Sequence, residues 1–243
     1  MLVLLTKKCN EGCTHCMAEA TPDGLHMDDE TWEATKSFLK EVQPMMLLLS
    51  GGEPTLHPRL FEWVEEALML VKGPVGVTSN GWFVDDPAML ERMIELNSRD
   101  RVVVQITSDP RFYPSSADRL ERIREHFPVE TAIRSVRPLG RARKNHPDTF
   151  DSAWKPSCVN TYLVSRQTHS LYSLVQSLHR AGKFCKPMVE PDGTIRPGEG
   201  HMCRSLGNVR EGVVWPFVRL LATDPCNSCG SMKNLTASER RMV

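Results

Sequence analysis

The chain has 243 residues, with 30 basic and 30 acidic side chains. That length is enough for one large domain, or one domain with a small appendage, whose core needs no disulfides. The balanced charge gives no sign of nucleic-acid or membrane binding, and no segment has the apolar length of a membrane span. We therefore expect a cytoplasmic protein, in which the eight cysteines serve metal binding or catalysis rather than disulfides.

Apolar, β-branched runs alternate with amphipathic segments along the first part of the chain. The runs predict buried parallel strands at Leu2 to Thr6, Met45 to Ser50, Val75 to Ser79, Val102 to Thr107 and Val129 to Val136. Helices are predicted between them, with starts at Asp28, Pro58, Asp86 and Ser116. This order requires a mostly parallel sheet, open or closed into a full or partial barrel, with the site at the carboxyl ends of the strands.

The composition changes after Lys183. A further strand is predicted near Val159 to Val164, followed by a helix from about Thr168 to Ala181 that Gly182 ends. Beyond it the chain is rich in Pro, Gly and Cys, with short extended pieces. We therefore predict two units, an α/β unit at 1–182 and a small module at 183–243.

The segment CNEGCTHC follows the first predicted strand and places Cys9, Cys13 and Cys16 on one loop. Three thiolates can bind three irons of a cubane cluster and leave the fourth iron open for chemistry. Zinc is the alternative, but it needs a closed set of four ligands, and His15 completes such a set only awkwardly because it directly precedes Cys16. The spacing alone leaves both interpretations open.

CNEGCTHC resembles the C-x3-C-x2-C motif of radical S-adenosylmethionine (SAM) enzymes, in which His15 occupies the position of an aromatic-type residue. The resemblance implies a partial (β/α)6 barrel and a [4Fe-4S] cluster with an open iron that binds SAM. One electron, from a flavodoxin- or ferredoxin-type donor, then cleaves SAM to a 5′-deoxyadenosyl radical that abstracts hydrogen from the substrate. The protein orients this cofactor chemistry and excludes competing reactions.

The segment SGGEP follows the second predicted strand and by itself suggests only a Gly-Gly turn. In the family, a GGE motif at this place receives the amino group of SAM through backbone groups and the glutamate side chain. The resemblance therefore assigns cofactor contacts to Ser50, Gly51, Gly52, Glu53 and Pro54.

The ends of the later strands carry weaker signals. TSNG ends the third strand, and the resemblance assigns SAM contacts to Ser79 and Asn80, although Asn-Gly is also a turn dipeptide. ITSDP ends the fourth, where Ser108 and Asp109 match ribose- or carboxylate-binding positions of relatives. RSVRPLGRARKNH follows the fifth and resembles a P-x-G-R-A segment. It reads by default as a solvated basic loop, while Arg134 is the arginine best placed to pair with the SAM carboxylate.

A second set of cysteines lies in the C-terminal module. Its members are Cys185, Cys203, Cys226 and Cys229. Their spacing fits a structural zinc or an iron-sulfur cluster equally well. The surrounding sequence resembles the SPASM or Twitch region of radical SAM enzymes, and the small number of cysteines matches the Twitch form, with one auxiliary [4Fe-4S] cluster. Cys158 has no assigned role.

The resemblance implies a substrate oxidation in which the auxiliary cluster accepts an electron. Peptide or protein side chains are the predicted substrates, as in many relatives. The alternative is a dehydrogenase of a small alcohol such as an aminocyclitol. It suits our expectation that no peptide-recognition domain precedes the first strand, which begins at residue 2. A noncatalytic zinc-binding module would explain the paired cysteines but not the GGE motif.

Overall fold

An eight-stranded sheet forms the centre of the computed structural model, which describes residues 1–42, 44, 46–107, 117–127, 129–130, 140–145, 188–196, 205 and 207–211. The strands are β1 Leu2–Thr6, β2 Leu47–Gly51, β3 Val75–Ser79, β4 Val102–Thr107, β5 Val129–Glu130, β6 Met188–Val189, β7 Thr194–Arg196 and β8 Gly207–Asn208. They lie in the order β5-β4-β3-β2-β1-β6-β7-β8. In this order, each pair of neighbours from β5 to β6 is parallel. The pairs β6–β7 and β7–β8 are antiparallel. The mixed α/β architecture with a mainly parallel sheet is the one predicted, and it matches a partial barrel.

Helices connect the first five strands, as the sequence predicts, and one further short helix lies in the segment that we interpreted as a basic loop. They are α1 Asp29–Val42, α2 Leu60–Leu70, α3 Pro87–Ser98, α4 Ala117–Arg124 and α5 Arg141–Asn145, with 3-10 turns at Pro54–Leu56, Trp82–Asp85 and Val209–Glu211. Asp28 starts α1 by accepting the N–H of Thr31 at 2.8 Å, and Asp86 caps α3 in the same way. None of the helices in the described ranges is long and apolar enough to cross a bilayer.

Element boundaries differ from the predictions at a few places. β2 begins at Leu47 rather than Met45, and it ends at Gly51 rather than Ser50 because Gly51 still pairs with Thr6 of β1. α2 is shorter than predicted and begins two residues after Pro58. Only the first two residues of the predicted strand Val129 to Val136 are described, and the predicted sixth strand and its helix lie outside the described residues.

The hydrophobic core lies between the sheet and its helices. Trp32 and Trp63 stack at a centroid distance of 4.7 Å, and both are buried, as is Phe38. Alternate residues of the parallel strands, such as Val3 and Leu5, face this core. Leu2, Leu4, Leu48 and Met188 form a smaller cluster on the other face of the sheet. Since both faces of β1 are buried, its residues Leu2 to Leu5 are all apolar, and only Thr6 at its carboxyl end is polar.

The strands β6 to β8 attach to the free edge of β1. Glu190, which follows β6, is buried and pairs with Lys7 at 3.2 Å and with Arg196 at 2.8 Å. At the other end, Arg210 binds the Asp28 carboxylate and lowers its pKa to about 2. The strands β6 to β8 lie beyond residue 182, where we predicted a division into two units. They therefore continue the sheet of the first unit.

Candidate active site

The carboxyl ends of the parallel strands meet at one edge of the sheet. The register pairs Thr6 of β1 with Gly51 of β2, and Ser79 of β3 with Ile106 of β4. The three predicted motifs follow β1, β2 and β3, so the structure brings them to the same edge. This is the position at which open α/β sheets and barrels carry their sites.

The segment from Cys9 to Ala20, called the cysteine loop here, leaves the end of β1 and returns to it. The Cys9 N–H donates to the carbonyl of Thr21 at 2.9 Å, and the Thr21 N–H donates to the carbonyl of Lys7 at 2.9 Å. The next residues run back beside β1, where the Lys7 N–H reaches Leu25 O at 2.8 Å. Both ends of the cysteine loop are therefore fixed to the sheet edge.

Burial raises the pKa of two of the three thiols in the cysteine loop. Burial raises the pKa of Cys13 to about 12, and the charges of Cys9, Cys16 and Glu11 add to the rise, while Arg141 opposes it. Burial also raises the pKa of Cys9, against the Glu11 N–H that donates to its Sγ at 3.4 Å. Cys9 and Cys13 therefore hold their protons at neutral pH and would release them on binding a metal.

The chemistry of this donor set fits an iron-sulfur cluster. A single metal ion needs several ligands converging on one point, and within the described part of the chain no three Cys, His, Asp or Glu side chains form such a group. A cubane cluster instead takes its thiolates one to each iron. Three thiols on one loop suit that arrangement. His15 is buried beside Cys16.

The GGE motif lies along the start of the cysteine loop. The Gly52 N–H donates to the carbonyl of Thr6 at 2.8 Å, and the Glu53 N–H donates to the carbonyl of Lys8 at 2.8 Å. A Cβ added at Gly52 would lie 2.3 Å from the Lys8 carbonyl oxygen. Glycine is needed here because of this close backbone approach.

The Glu53 side chain is fully buried, and its carboxylate accepts hydrogen bonds from other residues of the chain. Its Oε1 accepts bonds from the Thr55 N–H at 3.1 Å, the Thr55 hydroxyl at 2.6 Å and the Ser79 hydroxyl at 2.7 Å. Its Oε2 accepts the Asn80 N–H at 2.8 Å. Burial raises the pKa of Glu53, and these bonds oppose the rise. The carboxylate thus ties the end of β2 to the end of β3.

Asn80 extends this network to the cysteine loop. Its Nδ2 donates to Asn10 Oδ1 at 3.0 Å, and its Oδ1 accepts the Trp82 N–H at 2.9 Å. The Trp82 indole donates to the Thr55 hydroxyl at 2.7 Å. We did not predict Asn10, Thr55 or Trp82 as site residues. Their only sequence signal is adjacency, since Asn10 follows Cys9 and the other two directly follow the GGEP and TSNG motifs.

Several predicted site residues are outside the part of the chain that the structure describes. They are Ser108, Asp109, Arg134, Cys185, Cys203, Cys226 and Cys229, together with the unassigned Cys158. The remaining predicted residues, from the cysteine loop, Ser50 to Pro54 and Ser79 to Asn80, are described and lie at one sheet edge. Arg141, which we interpreted only as part of a basic segment, contacts the cysteine loop.

Known proteins resemble this chain in sequence or in fold. A curated relative, the S-adenosylmethionine-dependent nucleotide dehydratase of Thermoplasmatales archaeon (strain ISO4-H5), is 34% identical over 85 residues, which are 34% of this chain and 29% of the relative. The chain thus matches less than a third of that relative's length.

Two solved structures share the fold at low sequence identity. Native anSMEcpe with bound AdoMet and Kp18Cys peptide is 15% identical, with a TM-score of 0.53, and the match covers 89% of this chain and 79% of that one. Streptococcus suis SuiB bound to S-adenosylmethionine is 12% identical, with a TM-score of 0.54, and the match covers 92% and 63%.

The family assignment rests on the sequence match to the superfamily itself. The Radical SAM superfamily matches residues 3–152 of the 243, a span that contains the cysteine loop, the GGE motif and the end of β3. This span is more than half of the chain, so the chain belongs to the radical SAM superfamily.

Proposed function

We propose that this chain is a radical SAM enzyme that removes a hydrogen atom from a peptide or protein side chain. Cys9, Cys13 and Cys16 would hold a [4Fe-4S] cluster whose fourth iron binds SAM. When bound and reduced by one electron, this pair supplies a 5′-deoxyadenosyl radical. The observation that carries the proposal is the convergence of the cysteine loop, the GGE motif and the end of β3 at one sheet edge.

The surrounding residues would position the cofactor more than contact it. The polar groups of Glu53 and Asn80 bond to each other, to Thr55, to Ser79 and to Asn10. These bonds fix the backbone of the GGE motif against the cysteine loop. We propose that Glu53 acts through this bracing, and that backbone groups of Gly51 and Gly52 receive the amino group of SAM.

Peptides are the favoured substrate class because anSMEcpe, which shares the fold over most of this chain, was solved with a bound peptide. A nucleotide or another small molecule is the second candidate, because the curated relative is a nucleotide dehydratase. The candidates differ in what stimulates SAM cleavage. Peptide libraries should raise 5′-deoxyadenosine formation if the first is right, and nucleoside phosphates or small alcohols if the second is.

The C-terminal cysteines would hold an auxiliary [4Fe-4S] cluster that takes up an electron from the substrate radical. The substrate would lose one hydrogen atom to the 5′-deoxyadenosyl radical, which becomes 5′-deoxyadenosine, and then one electron to this cluster and one proton to solvent. The potential of such a cluster depends on its net charge and its exposure to solvent.

Cys226→Ala tests the auxiliary cluster once a substrate is found. We expect the variant to keep cleaving SAM but to lose the oxidised product, because the substrate radical has no acceptor. Wild type should form one 5′-deoxyadenosine per product. The measurement is chromatographic quantification of both compounds, with Cys158→Ala as the matched control. Undiminished product in Cys226→Ala would remove the auxiliary cluster from the proposal.

A further inference from the structure

We propose that Arg141 is a positioning residue that holds the cysteine loop in shape and places a fixed positive charge beside the cluster. The inference deepens the proposed function, on which it rests, because the group that the loop would hold is the [4Fe-4S] cluster. Arg141 lies at the first residue of α5, more than a hundred residues beyond the loop it contacts.

Arg141 binds three carbonyl groups of the cysteine loop. Its backbone N–H donates to Cys16 O at 3.0 Å, its Nε to Cys13 O at 3.0 Å, and its Nη1 to Ala20 O at 2.9 Å. Two of the three cysteines thus have their carbonyls fixed by one residue. The planar fork of a guanidinium can span separate acceptors in this way, which a lysine ammonium cannot reproduce.

The neighbours of Arg141 dock on the same loop. Gly140 has a φ of +54°, and a Cβ there would lie 2.5 Å from the carbonyl oxygens of both Cys16 and Met17. At the other end of α5, Asn145 Nδ2 donates to Thr14 O at 2.9 Å. Both ends of this short helix are therefore bound to the cysteine loop, and Arg141 makes three of the hydrogen bonds.

The guanidinium of Arg141 lies beside the cysteine loop, with its Nε 3.0 Å from the Cys13 carbonyl oxygen. Its Nη2 is buried and has no hydrogen-bond partner among the described residues. An arginine stays protonated inside a protein. A fixed positive charge near a thiolate-bound cluster favours the form that carries the extra electron, so it raises the reduction potential.

Lys144 provides a matched control for a merely basic helix. It lies on α5 but is exposed. If α5 contributed only general positive charge, replacing either residue would have a similar effect. If the contacts of Arg141 matter, only its replacement alters the cluster.

The experiment compares full-length wild type, Arg141→Gln, Arg141→Lys and Lys144→Gln after anaerobic iron-sulfur reconstitution. The electron paramagnetic resonance signal that changes on SAM addition identifies the cluster with the open iron. Its midpoint potential and the rate of iron loss to a chelator are measured. We expect Arg141→Gln to shift the potential to a more negative value and to lose iron about 10-fold faster.

Arg141→Lys should keep a potential near that of wild type but still lose iron faster, and Lys144→Gln should match wild type in both. A wild-type potential in Arg141→Gln would overturn the proposal, whatever its rate of iron loss. If Arg141→Gln takes up no cluster, the rate at which its three cysteines are alkylated in the iron-free chain tests the proposal instead. Faster labelling than in Lys144→Gln supports the hold on the loop, and equal labelling overturns it.

The same experiment separates this proposal from the proposed function. If wild type shows no cluster that responds to SAM, the proposed function fails. The alkylation comparison needs no iron and still tests the contacts of Arg141.

Discussion

Glu53→Gln is expected to abolish 5′-deoxyadenosine formation and to lower the free energy of unfolding by about 1–3 kcal/mol. All four groups that face the carboxylate donate hydrogen bonds, two from backbone N–H groups and two from hydroxyls. An amide –NH2 in place of either oxygen must face at least one donor. In the less costly orientation, the –NH2 group faces the Asn80 N–H. Two donors then face each other, so the end of β3 is displaced and the bond from Asn80 to Asn10 is disturbed.

Urea denaturation and the SAM cleavage assay measure these effects. Glu62→Gln is the matched control, because Glu62 is exposed on α2 and pairs with Arg59 at the surface. Its free energy of unfolding should change by no more than about 0.5 kcal/mol. If Glu53→Gln kept both wild-type stability and wild-type cleavage, the bracing role of Glu53 would be wrong.

Gly52→Ala is expected to prevent the cysteine loop from binding its cluster. The new Cβ would lie 2.3 Å from the Lys8 carbonyl oxygen and 2.8 Å from the Ala20 Cβ, at the two ends of the loop. Backbone cannot retreat from that contact without breaking the bonds that join Gly52 to Thr6 and Glu53 to Lys8. Crowding of this kind costs about 1–3 kcal/mol, and the strain falls on the loop that carries the thiols.

The iron content of the reconstituted protein reports this effect. Gly12→Ala is the control, because Gly12 lies on the same loop and a Cβ there would have no atom within 4 Å. We expect Gly12→Ala to bind as much iron as wild type. Equal iron in Gly52→Ala and Gly12→Ala would show that the close approach at Gly52 does not shape the site.

The sequence predicted the sheet well where local signals and burial agree. β1, β3 and β4 have the predicted bounds, because each is an apolar run buried in a parallel sheet. α1 also has its predicted bounds, because Asp28 caps its first turn. β6 to β8 could not be placed, since strands of two or three residues leave almost no pattern. Their position beside β1 depends on long-range contacts such as that between Lys7 and Glu190.

The site was predictable in its position but not in its internal contacts. The motifs could be assigned to one edge because parallel strands end together. The direction of the Glu53 side chain could not, because a motif does not show which donors a buried carboxylate will find. The contacts of Arg141 could not be predicted either, because this residue binds backbone carbonyls 121 to 128 residues away, and any side chain can stand at a residue whose carbonyl is bound. We had favoured Arg134 by its predicted place at a strand end.

The most direct test of the cysteine loop as a cluster site is the iron and sulfide content of the full chain after anaerobic reconstitution. Wild type is compared with a variant in which Cys9, Cys13 and Cys16 are all alanine. We expect about eight irons per chain in wild type and about four in the variant, as two cubane clusters require. Equal iron in the two proteins would contradict the assignment of the cluster to these three thiols.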